Sequence, residues 1–209
     1  MTKKIMNATK TMMTNGQIED AVNKFRSAMH KHRSEITSDI AQQVLGSDNF
    51  GMMMFAPFRE RAKMLSSLIV HKFKVNRSRS PQEVFNAVGG IQDINREALD
   101  TMPRGEGDEA ETFSFELEAW EYTCDDEIGD DDLGKAYIRR NLKAASPDYV
   151  AAGIETGVFA DGKYGTHWKG AEGNWCHAAF SYWRVVRRVK VNCYGNGWSG
   201  GWIFIGVRK

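Results

Sequence analysis

The sequence predicts an α+β fold, a helical N-terminal half followed by an antiparallel β-sheet in the C-terminal half. Three observations carry this expectation. Through the first half, apolar residues recur at steps of three and four, the period of a helix with one inward face. At residue 112 the pattern changes to strict alternation, the period of a half-buried strand. The stretches 175–193 and 201–207 are rich in the β-branched and aromatic residues that suit a pleated surface.

The first helix is expected over residues 17–45. Ile18, Val22, Phe25, Met29, Ile36, Ile40 and Val44 define one stripe to be buried, with His32 filling the gap in the series. Asn15-Gly16 precedes this helix and Gly46 ends it. A second helix is expected from Pro57 to about Lys74, with Phe58, Ala62, Leu65 and Ile69 inward, followed by a polar basic loop over 75–80. Ser80-Pro81-Gln82-Glu83 is the clearest local signal. Ser80 can accept the N–H of residue 83, Glu83 can reach back to the Ser80 N–H, and Pro81 sits where no N–H is missed. That helix runs to Ala87 and stops at Gly89-Gly90, and a short helix over 91–102 ends before Pro103.

In the second half, Phe113, Phe115 and Leu117 share one face of a strand over 112–118. A short helix is expected over 133–145, and the glycine-rich stretch 153–173 reads as turns. Residues 175–193 read as one long strand, joined through the turn 194–200 to a strand over 201–207. Gly195 to Gly200 matches GxGxxG letter for letter, but a strand follows it rather than a helix, so it is a turn and not a dinucleotide site. The organisation is a helical region over 1–102, an acidic strand and loop over 103–133, and a β region over 134–209, the last two forming one unit.

Charge is sorted along the chain. The 28 basic and 27 acidic residues nearly cancel. Residues 1–102 nevertheless carry a net +5, residues 103–133 a net −12, and residues 134–209 a net +8. That distribution points to a function that runs through electrostatics. If 180–193 is unbroken, Phe180, Tyr182, Arg184, Arg188 and Lys190 share a face, which Trp202 extends from the neighbouring strand. Rings that stack bases, interleaved with cations that hold phosphates, suit single-stranded nucleic acid. Asp125, Asp126, Glu127, Asp130, Asp131 and Asp132 form a run of carboxylates that can mimic phosphate. It would compete for the chain's own basic surface, or engage a basic nucleic-acid-binding protein as an inhibitor or regulator.

The lead expectation is therefore a non-enzymatic binding protein acting on nucleic acid or on a protein that handles it. The alternatives are a metal-dependent phosphodiester enzyme using Glu116, Glu118 and the aspartates, and a structural assembly subunit that forms homo-oligomers through its methionine and aromatic patches. No cofactor is expected. The acidic run lacks the ligand pattern of a calcium loop, and Cys176 and His177, being adjacent on a strand, face opposite ways. No apolar run approaches the roughly 20 residues of a membrane span. Three cysteines without a CxxC, and no apolar signal segment, argue for a reducing, cytoplasmic setting.

Overall fold

The structure, a computed structural model, describes residues 12–122, 127–159, 162–183, 185–194 and 197–209, with Trp183 described by its backbone alone. The chain divides into two compact units, Met1–Glu60 and Arg61–Lys209. The division falls at residue 60 rather than 102, because residues 69–74 and 91–94 are strands of the C-terminal sheet.

In the first unit the stretch expected as one helix is two. Helix α1 spans Asn15–Lys31, a 3-10 turn covers Arg33–Glu35, and α2 spans Ser38–Leu45. A capping box starts α1, in which Thr14 Oγ1 accepts the Gln17 N–H at 3.2 Å and Gln17 Oε1 accepts the Thr14 N–H at 2.9 Å. The break comes at Ile36-Thr37, where Thr37 turns extended to precede α2. A β-branched pair followed by Ser38 and Asp39 favours a cap over a helix interior. Helix α3 spans Phe50–Ser66 and carries Pro57 inside it rather than at its start.

The second unit is built on a mixed sheet. Its strands are β1 Ile69–Lys74, β2 Ile91–Ile94, β3 Glu109–Glu116, β5 Leu142–Ala144, β6 Lys163–Lys169, β7 Trp175–Trp183, β8 Val186–Asn192 and β10 Trp202–Arg208. They lie in the order β1-β3-β10-β6-β7-β8-β2, with β5 also paired to β10. The sheet is antiparallel except at β10–β6 and β2–β8. A two-stranded sheet pairs β4, Glu127–Ile128, with β9, Trp198–Ser199. The helices are α4 Pro81–Val88, α5 Arg96–Asp100, α6 Asp130–Arg139 and α7 Pro147–Glu155.

Strand alternation gives the sheet two buried faces. On one, Tyr164, Trp168, Cys176, Ala178, Phe180, Val189, Val191 and Ile205 pack with Val84 and Phe85 of α4, Ala98 of α5 and Val150 of α7. On the other, Phe113, Phe115, Ala179 and Phe204 pack with Leu133, Ala136 and Tyr137 of α6, with Ile128 and with Trp198. The Trp198 indole lies so close over β6 that a Cβ on Gly165 would meet it at 2.6 Å, so glycine is required there. The second core is closed at its edge by a buried ion cluster. Glu121 accepts from Arg140 Nη1 at 2.8 Å and from Arg139 Nη2 at 2.6 Å. Burial pushes this carboxyl up, but the two guanidinium hydrogen bonds and the Glu118 N–H outweigh it and hold it below its ordinary range.

Several expectations stand corrected. The capping box at Ser80–Glu83 forms as read, and Gly89 and Gly90 end α4 at positive φ. Residues 69–74, expected as helix, form β1. Their apolar positions fit a step of four, but Ile69-Val70 is β-branched and the stretch pairs along β3. Residues 91–102 give β2 and α5, and residues 133–145 give most of α6 and then β5. The glycine-rich stretch read as turns holds the end of α7 and all of β6. Helix α7 has the same Ser-Pro start as α4. Residues 175–193 are a hairpin, not one strand, and its second strand does not neighbour β10. The basic loop at 75–80 is tied down rather than free. Arg77 bonds the buried Asp148, and Arg79 holds Glu155 with both terminal nitrogens.

Cys176 and Cys193 stand at the open end of the β7–β8 hairpin and are joined by a disulfide. The argument for a reducing compartment from unpaired cysteines therefore falls. Among the described residues no helix is long and apolar enough to cross a membrane. Closing a loop of 17 residues restricts the unfolded chain by about 3 kcal/mol. Thermal unfolding with and without reductant is expected to show a lower midpoint on reduction, and the Cys176→Ser/Cys193→Ser protein should unfold like the reduced chain. An unchanged midpoint would show that the bond contributes nothing to stability.

Candidate interaction surfaces

The apolar stripe of the first unit is not buried. None of α1, α2 and α3 contributes a buried residue. Ile18, Val22, Phe25, Met29, Ile36, Ile40 and Val44 are each between 41% and 51% exposed. On α3, Met52, Met53, Met54, Phe55 and Phe58 are exposed as well. The periodicity marks one apolar face of these helices, expected to be buried, but among the described residues none of its positions is. Along α1 the stripe falls at 18, 22, 25 and 29, alternating steps of four and three. Ile18 and Phe25, and Val22 and Met29, are each seven residues apart, the repeat of a narrow seam between two helices. Ala21 and Ala28 flank it and leave room for a close neighbour.

The sheet face expected to carry rings and cations together does not form as read. The pairing of β7 with β8, Trp183 opposite Val186, reverses the alternation. Phe180 and Tyr182 lie on the face covered by α4 and α7, whereas Arg188 and Lys190 pair with Ser181 and Ala179 on the opposite face. Phe180 is fully buried against Phe85 and cannot stack a base. Tyr182 is half-buried beneath the Arg187 guanidinium, which also donates to its hydroxyl. Arg184 lies outside the described residues. Trp202 is half-buried on the same face as Arg188 and Lys190. Lys163, which sequence reasoning passed over as part of a loop, is its partner on β6, with its ammonium 6.0 Å from the ring centroid.

The acidic run is largely built into the fold. Asp130, Asp131 and Asp132 form the first turn of α6, where carboxylates complement the helix dipole. Asp130 is buried, Asp131 accepts the Trp175 indole N–H at 2.8 Å, and Asp132 pairs with Lys135 at 2.6 Å. Glu127 is in β4 opposite Ser199. Asp125 and Asp126 lie outside the described residues. A carboxylate as buried as Asp130 cannot be presented to a partner, so the phosphate-mimic expectation does not extend to it.

Beneath α6 and β9 lies a cluster of histidines and indoles that the sequence did not single out. Asp130 Oδ1 accepts from Trp198 Nε1 at 3.0 Å and faces His167 Nδ1 at 3.2 Å. His167 stacks on Trp175 with ring centroids 4.3 Å apart. Its cross-strand partner is His177, which is 1% exposed and stands edge-on to Trp198. Among the described residues neither ring nitrogen of His177 has a hydrogen-bond partner. Cys176 and His177 do face opposite ways, one in each core. The sequence reading puts His167 in turns and gives no register to the strand that carries His177, so it holds no signal for the pair.

Among the described residues the carboxylates of the enzyme reading do not form a metal site. Glu116 and Glu118 are exposed, Asp130 is held by Trp198 and His167, and among the described residues no three His, Cys, Asp or Glu side chains converge as metal ligands. No family model, curated protein or solved structure matches this chain.

His177 makes stability depend on pH. Burial, opposed by Asp130 and reinforced by the charges of Lys190 and His167, lowers it from 6.5 to about 4. The unfolded chain therefore binds a proton that the folded chain refuses between these values. Stability is full above about pH 6.5 and falls by about 3 kcal/mol as pH drops through that window to about 4. Chemical denaturation from neutral pH downward is expected to show this loss in the native chain. His177→Phe, which removes two unpaired nitrogens, should keep its neutral-pH stability and lose this part of the pH slope. An equal slope in both proteins would remove His177 as the cause.

Proposed function

We propose that this chain is an assembly subunit that associates with further copies of itself through the helices of its first unit. The observation that carries the reading is that α1, α2 and α3 bury none of their residues while their apolar side chains are exposed. Isolated helices of this length are marginal in water, and most of their stability comes from packing an apolar face. Exposed apolar area on this scale marks a contact surface. A second copy fits because the seven-residue repeat of 18 and 25 and of 22 and 29 suits knobs-into-holes packing against a like helix. The exposed methionines Met52, Met53 and Met54 of α3 add a second adaptable apolar surface.

Sedimentation analysis of the full chain tests this. The native protein is expected to sediment as a multiple of 23.6 kDa, in a concentration-dependent equilibrium. Val22→Glu/Met29→Glu places two charges in the seam and is expected to weaken association roughly a hundredfold or more. Both positions are exposed, so the second unit should unfold at an unchanged midpoint. A native chain that stays monomeric at the highest soluble concentration would overturn the proposal, as would a double variant that assembles as well as the native protein.

A further inference from the structure

The strand register builds a surface that the assembly reading does not use. Trp202 of β10 stands opposite Lys163 of β6, Ser181 of β7 opposite Arg188 of β8, and Arg188 opposite Ile91 of β2. Lys163 neighbours Ser181, because Tyr164 is paired with Phe180 in the β6–β7 ladder. These side chains therefore form one row across the sheet, all on the face that carries Trp198. One step along β8 adds Lys190 to the same face. At about 4.8 Å between strands and about 6.8 Å between alternate residues, Lys163 and Arg188 are about 10 Å apart at the backbone and Arg188 and Lys190 about 7 Å. Lys163, Arg188 and Lys190 are exposed, and Trp202 is half-buried, standing edge-on to Trp198.

We infer that this row is a docking surface for single-stranded nucleic acid. Three cations at these spacings meet successive backbone phosphates, and the edge of the row offers an indole beside a lysine. A ring can stack only on an unpaired base, which selects a single strand over a duplex. The surface is accessible because Lys163, Arg188 and Lys190 are exposed, whereas Trp198 of β9 covers Gly165 and meets the edge of Trp202. Asp93, opposite Lys190 on β2, places a negative charge next to the path and weakens binding there.

The test is fluorescence anisotropy of a labelled oligo-dT with the full chain. Binding is expected to weaken steeply with salt. Lys163→Ala/Lys190→Ala is expected to lower affinity about tenfold or more and to reduce the salt slope by about 1.4, near 0.7 for each lost phosphate contact on a single strand. Asp93→Asn is expected to tighten binding several-fold. Binding should quench tryptophan fluorescence, and Trp202→Phe should remove part of that quench. All three lysine and aspartate positions are exposed, so these variants keep the fold. The assay can be repeated with Val22→Glu/Met29→Glu, so it does not depend on assembly. The inference is overturned if oligo-dT does not bind at low salt or if the double lysine variant binds equally. It is also overturned if base-free polyphosphate competes as well as unlabelled oligo-dT, which would show a response to charge alone.

Discussion

The second face of the sheet depends on one carboxylate. Asp130 sits at the start of α6, takes the Trp198 indole N–H and faces the His167 imidazole. Those contacts join residues 37 and 68 positions apart in the chain. Without that oxygen the N-terminus of α6 keeps the Asp131–Trp175 hydrogen bond to the sheet but loses the contacts to β6 and β9, and the indole of Trp198 loses its partner while remaining buried. An unpaired buried donor costs about 1–3 kcal/mol, so the arrangement holds together as a set. The tight fit of Trp198 over Gly165, the stack of His167 on Trp175 and the enclosure of His177 all follow from the placing of this cover.

The same contact explains why the acidic segment does not behave as composition suggests. A run of aspartates reads as a solvated tail when only charge is counted. At the first turn of a helix the same residues satisfy the dipole, an indole and a lysine. The second acidic residue of this region with a buried role is Glu121, which holds Arg139 and Arg140 at the margin of the same core. Charge sorting along the sequence is therefore partly architectural, with carboxylates on the cover meeting donors from the sheet and from α6.

How much was legible in the sequence depended on whether the deciding signal was local. The Ser80–Glu83 capping box needs only four residues and was readable, as was the alternation of Phe113, Phe115 and Leu117. The reversal between β7 and β8 was not, because Arg184-Val185 offers no glycine, proline or asparagine to mark it. That one missed reversal moved Phe180 and Tyr182 to the face opposite Arg188 and Lys190 and dissolved the expected ring-and-cation surface. The row that replaces it depends on Lys163, whose neighbours come from strands 18 to 39 residues further on. Only the pairing register reveals it. Helix α7 was readable in principle from Ser146-Pro147 but was obscured by the glycines after it. In the first unit, periodicity located the apolar face of α1 and could not say what covers it.

The two units thus present different physical problems. Arg61–Lys209 has two closed cores and keeps its polar groups paired, apart from a few such as His177. Met1–Glu60 has regular helices and no core of its own among the described residues. Helices in that condition are stable only when something covers them. The most direct measurement is amide hydrogen exchange across residues 15–45 of the full chain, followed as the protein is diluted. Association between copies is expected to give protected amides at high concentration and exchange that quickens on dilution, with the C-terminal sheet unchanged. Exchange in α1 and α2 that is equally fast at every concentration would contradict the account.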